Sequence, residues 1–221
     1  MTKRARSTKG DSEKPFNDLP LLPPARDKIE TVKVLRQLVK SSVALAELKG
    51  LAKILPNPAI LLNAIILKEA RASSEIENVI TTLDKLYQAI SAKGILVDSA
   101  TKGVLRYREA MLHGFHFIKK KGFLSSNAII EVQKMLEENA AGIRKLPGTA
   151  LRNSATGKVI YTPPDNLDSI NALMKNLEKY LNDQDEISPL KKWLFSIINL
   201  KAYILFMMAT VGRVGSLMFC I

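Results

Sequence analysis

The chain has 221 residues, 47% of them apolar, enough for one domain or two small ones with a core of their own. The 33 Lys and Arg against 21 Asp and Glu leave a formal charge of +12, which admits nucleic acid, a nucleotide or a membrane surface as an anionic partner. A single cysteine, Cys220, excludes an internal disulfide framework and any zinc cluster built on Cys pairs.

In chain order, residues 1–22 are polar, basic and bounded by prolines, which predicts a flexible arm. Its basic tract, residues 2–9, is the densest charge cluster of the chain. No aromatic platform or groove-reading motif accompanies it, so nucleic acid is a possible but unfavoured partner. Residues 16–22 are too broken by Pro and Asp to form the apolar centre of a secretory signal, and a cytoplasmic location is the expectation.

Ile29, Val32, Leu35, Leu38 and Val39 recur at helical spacing behind two prolines, predicting a first helix. Gly50 and the PNP of residues 56–58 separate it from a second, whose aliphatic positions start at Ile60. The same period runs on through Ile76, Val79, Ile80, Leu83 and Leu86, across an oddly polar insert, SSEIEN, at residues 73–78. Either the insert is a solvated helical face, or Glu77 is aimed at something.

Two further helices are expected at residues 104–120 and 128–139. His113 and His116 fall in the first of them and read as structural, since no carboxylate or Cys stands near them at ligand or triad spacing. No metal ligands are expected. Between residues 147 and 164, PGTALRNSATGKVIYTPP carries short β-favouring runs around a Gly-Lys turn, which predicts a small hairpin. A helix over residues 167–182 follows, and Pro189 opens the last one.

Residues 193–211 are apolar enough to raise a membrane anchor. Lys201 interrupts them at mid-depth, at a cost of roughly 2.5–3.5 kcal/mol, so a core helix is the expectation and no membrane is favoured.

This order of features resembles the Fic/DOC family over residues 22–190, about three-quarters of the chain. SSEIEN fits that family's inhibitory pattern: Ser or Thr, three residues, Glu, then Gly or Asn. The resemblance implies that Glu77 is the inhibitory glutamate, with Ser73 and Asn78 supporting it. It further implies an adenylyltransferase that moves AMP from ATP, with Mg2+, to a hydroxyl of a target protein. The hairpin would be the flap, in which Val159, Ile160 and Tyr161 lay the target's backbone along a strand edge. The target itself is unknown, and a homo-oligomer is possible.

The chemistry suits a glutamate. An Arg that anchors the γ-phosphate presents a planar pair of donors, and a carboxylate delivered by a neighbouring helix can occupy them instead. Ser73, one helical turn earlier on the same face, is within reach of that carboxylate.

The family's catalytic signature, HPFxDGNGRxxR, is absent. Aligning Gly212 and Arg213 with its GR, a remnant of the phosphate cradle, sets Leu205 where the catalytic His belongs. Ala209 then replaces the Asp, Val211 the Asn and Ser216 the second Arg. An aliphatic side chain accepts no proton. The genetic code offers a reason. Reading the third base of each codon with the first two of the next, Met207, Met208 and Ala209 force Asp-Gly. Residues 202–215 permit IHPFYDGNGRTGR in the same shifted frame. The tail therefore reads as a frame-shifted or truncated Fic core, with the helix of a pseudoenzyme as the second possibility. An unrelated basic helical module binding nucleic acid or a protein partner is the alternative.

The expected architecture is mainly α, a Fic-like orthogonal helical bundle with one small β-hairpin. Its expected divisions are a basic arm (1–22), an amino-terminal helical region with the inhibitory helix (23–110) and an incomplete Fic core (111–221).

Overall fold

The computed structural model describes residues 12–76, 78–91, 96–140, 142–153 and 155–204. It is mainly helical, with one antiparallel pair of strands. The element order is α1 (Arg26–Ile29), α2 (Val32–Ala52), α3 (Pro58–Ile76), α4 (Leu83–Ser91), α5 (Ser99–Lys121), α6 (Ser126–Glu137), β1 (Leu151–Arg152), β2 (Val159–Tyr161), α7 (Leu167–Asn182) and α8 (Pro189–Ile204).

Capping chemistry sets most of these boundaries. Thr31, Asp98, Ser125 and Asn166 each accept a backbone N–H of the first turn, starting α2, α5, α6 and α7. Gly122, at φ 78°, ends α5 behind a run of three lysines that suits the negative end of the helix. The apolar period that begins at Ile29 is split: α1 stops there, and Thr31 restarts the chain as α2.

The core lies where α5, α6 and α7 meet. Val104, Tyr107 and Ala110 of α5, Ile129 and Val132 of α6, and Leu173, Met174 and Leu177 of α7 form one buried cluster. Leu67 and Ala70 join it from the second half of α3, and Leu200 from α8. Helix α5 is the hub, packed against α3, α4 and α6, while α8 packs on α7 and also meets α2.

The arm expected through residue 22 is tied down from residue 12 onward. Asn17 exchanges hydrogen bonds with Asp165 and also accepts the N–H of Asn166. Leu22 is buried, and both its backbone groups pair with the amide of Asn176 on α7. Polar side chains, which carry no periodic signal, do the fastening. The basic tract at residues 2–9 lies outside the described residues.

Among the described residues no helix is long and apolar enough to cross a membrane. The described part of the apolar stretch from Trp193 belongs to α8, whose Leu200 is a core residue.

Candidate functional site

The apolar period that runs across SSEIEN is not one helix. Helix α3 ends at Ile76 and α4 begins at Leu83. At the junction the Asn78 N–H donates to the Glu75 carbonyl at 3.0 Å, and the Val79 N–H donates to the Ser74 carbonyl at 2.9 Å. Asn78 has φ 61°, in the left-handed region. Two such bonds around one left-handed residue form a Schellman end, which satisfies carbonyls that the helix itself leaves unpaired. Glycine enters that region without steric cost, and Asn does so more readily than other side chains. The Gly-or-Asn choice at the end of the pattern therefore has a backbone reason.

Ser73 and Ser74 are buried, at 2% and 6% exposure, whereas Glu75 is exposed. The reading of the insert as a uniformly solvated face fails for the two serines. A small hydroxyl fits between α3 and its neighbours where a long charged side chain would not. Beyond the junction, Val79 runs over Gly103 of α5, with its Cγ1 at van der Waals distance from where a Cβ on that glycine would stand. Beneath it, the Thr81 and Thr101 hydroxyls share a buried hydrogen bond of 2.7 Å. Thr82 then starts α4 by accepting the Lys85 N–H. The segment that leaves α3 is thus held against α5. Glu77 itself lies outside the described residues.

Beside this junction is a cavity of about 520 Å³, lined in part by Ser74, Asn78, Lys102, Arg106 and Glu137. Arg106 is ion-paired to Glu138 through one terminal nitrogen, at 2.8 Å. Sequence reading missed Lys102 and Arg106, which have no motif around them and reach this place through the packing of α5 on α3.

The hairpin forms where it was expected. Leu151 pairs with Tyr161 and Arg152 with Val159, with an irregularity between the two pairs. Asn153 shapes the turn by accepting the N–H groups of Ala155 and Thr156, and Gly157, at φ 69°, closes it. Val159 is buried, Ile160 exposed and Tyr161 half-buried, the alternation of a strand with one face on the core. Burial pushes the Tyr161 phenol above its ordinary pKa.

Two devices brace the hairpin. Arg144 donates to the carbonyls of Leu146 and Pro164, clasping the segment at both ends. Residues of the amino-terminal arm do the rest. Ser12 donates to the Val159 carbonyl, Thr162 donates to the Ser12 carbonyl, and the Phe16 ring stacks on Tyr161 at 5.3 Å. The Lys158 carbonyl accepts from Asn153 on the β1 side, so the next carbonyl, that of Val159, faces the opposite edge. The arm therefore touches the edge of β2 that β1 leaves open.

Among the described residues, then, the end of α3 packs on α5, and the hairpin is held by Arg144 and the arm. His113 and His116 are exposed and lie against Phe117 and Phe115. Leu205, Ala209, Val211, Gly212, Arg213 and Ser216 lie outside the described residues. The family model described as Fic/DOC family N-terminal matches residues 35–116, from the first turn of α2 into α5 and across SSEIEN.

Proposed function

We propose that this chain, whose residues 35–116 match the amino-terminal region of the Fic/DOC family, is the scaffold of an autoinhibited protein adenylyltransferase. In this reading Glu77 is the inhibitory residue and the catalytic core is disrupted. The observation that carries it is the left-handed Asn78 directly after Glu77, inside the matched region. A Schellman end rigidly fixes the last turn of a helix, and that is what a carboxylate needs to reach a fixed Arg. Buried Ser73, one turn earlier, suits the same purpose.

The residues present do not fit Mg2+ and ATP. Ala209 and Val211 stand where a metal-holding Asp and a phosphate-binding Asn would be, and neither side chain offers a donor or an acceptor. No general base stands at Leu205. No catalytic step is therefore assigned to the chain as written, and its expected rate of AMP transfer is nil.

Incubation with labelled ATP, magnesium and manganese tests both halves of this reading. The chain as written should label nothing, with or without Glu77→Gly. A version whose frame is restored near codon 190, so that HPFYDGNGRTGR replaces the present residues, should label strongly once Glu77 is changed to Gly. Glu75→Gly, at an exposed position on α3, should change labelling little in the same background. Equal effects from the two substitutions would reduce SSEIEN to an ordinary helix end.

A further inference from the structure

Helix α2 presents a long apolar stripe that the described residues leave uncovered. Val32, Leu35, Val39 and Val43 follow one another at spacings of three and four, so they share one face. Val32 and Val39 are each 64% exposed, and no residue of α2 is buried. Ile60, Leu61, Leu62 and Ile65 in the first half of α3 are exposed as well. A soluble chain seldom leaves so much contiguous apolar surface to water.

We infer that residues 205–221 of the same chain dock along this face of α2. That segment starts directly after α8, and α8 already meets α2. The Lys191–Glu30 ion pair, at 3.1 Å, fastens the first turn of α8 just ahead of the start of α2. Leu194 and Ile198 continue the side of α8 that bears Lys191, and both are exposed, so the uncovered apolar surface extends onto the helix from which the segment emerges.

Composition and length agree with this occupant. Leu205, Phe206, Met207, Met208, Val211, Val214, Leu217, Met218, Phe219 and Ile221 are apolar, and Arg213 is the one charged side chain in the stretch. As a helix these residues would span roughly 26 Å, and extended roughly 55 Å, against roughly 31 Å for α2. A second copy of α2 fits worse. Lys33, Arg36 and Lys40 line the face next to the stripe, where Glu47 is the one carboxylate; a parallel pair of such helices sets the cations against each other, and an antiparallel pair has Glu47 alone to offset them. A nearly uncharged apolar segment meets no such penalty, and covering the stripe removes both surfaces from water.

Cys220, the one cysteine of the chain, reports the docking directly. A second cysteine is introduced into the full 221-residue chain at Val39→Cys or, separately, at Val43→Cys. Both positions are exposed, so neither change disturbs the core. Controls are Asp84→Cys on α4 and Asp183→Cys at the apolar groove on the other side of α8, which Leu177, Leu181 and Trp193 help to line. Under mild oxidation at low protein concentration, Val39→Cys and Val43→Cys should close an intrachain disulfide to Cys220 at least about tenfold faster than Asp84→Cys, because docking raises the local concentration of the thiol. Fastest closure at Asp183→Cys would send the segment to the other groove and overturn the inference. So would disulfide-linked dimers as the main product, which would assign the face to a second copy, and so would equal rates at all four positions.

Discussion

Helix α7 places Ile170, Leu173, Met174, Leu177 and Tyr180 at spacings of three, one, three and three, and all five are buried. Helix α2 places Val32, Leu35, Val39 and Val43 at spacings of three, four and four, and none is buried. Both helices begin with a side-chain cap and both alternate apolar and polar faces. The difference is their neighbours. Helix α7 lies between α6 and α8, whereas among the described residues α2 packs chiefly against α8, near the Lys191–Glu30 pair. An apolar stripe is a condition for burial and not a record of it.

The sharpest way to break this comparison is to truncate one residue on each helix. Leu177→Ala should lower the free energy of unfolding by about 2–5 kcal/mol, because it opens a cavity in a site 1% exposed. Val39→Ala should cost less than about 1 kcal/mol, since Val39 stands 64% exposed and outside the core. Urea unfolding measures both. A loss at Val39 equal to that at Leu177 would mean that α2 is a full member of the core.

A smaller effect is expected where the match to the family and the backbone coincide. Asn78→Val should destabilise by about 1–2 kcal/mol, because a β-branched residue is poorly accommodated at φ 61°. Asn78→Gly should be neutral or nearly so. Thermal melts of the two variants decide whether Asn78 is there for its backbone conformation. If Gly is as damaging as Val, its side chain matters instead.

The smallest effect concerns the start of α5. The Thr101 N–H first, and the Lys85 ammonium second, hold the Asp98 carboxylate at a pKa of about 2, below its ordinary range. A depressed carboxylate contributes stability above its unfolded pKa and loses it as the pH falls through the folded value. The cap should therefore be fully effective at neutral pH and fade between about pH 4 and pH 2. Asp98→Ala should lower the melting temperature by about 2–4 °C at pH 7 and by clearly less at pH 2, and a shift independent of pH would leave the carboxylate no part in it. Asp98 is solvent-exposed, so the effect stays small.

Much of this architecture was legible along the chain. The hairpin between Leu151 and Tyr161 and the limits of α7 are local events, each decided by residues within a few positions of one another; α5 and α6, capped by Asp98 and Ser125, start ahead of the expected residues 104 and 128. The helix end inside SSEIEN was not legible: the apolar period runs on through Leu86, whereas the backbone turns at the left-handed Asn78. What the sequence could not decide were matters of partnership. The period of α2 looks no different from one that is buried, and nothing in residues 12–22 announces that Asn17 will clasp Asp165, 148 positions away. The polar stretch at Ser73 and Ser74 was a poor guide to exposure, because α3 turns those serines inward against its neighbours. Periodicity and capping act through the few residues of a helical turn, so the chain itself determined which segments are helices. Burial depends on which surfaces meet, and only the tertiary structure decided that α5, α6 and α7 share a core while the face of α2 stays outside it.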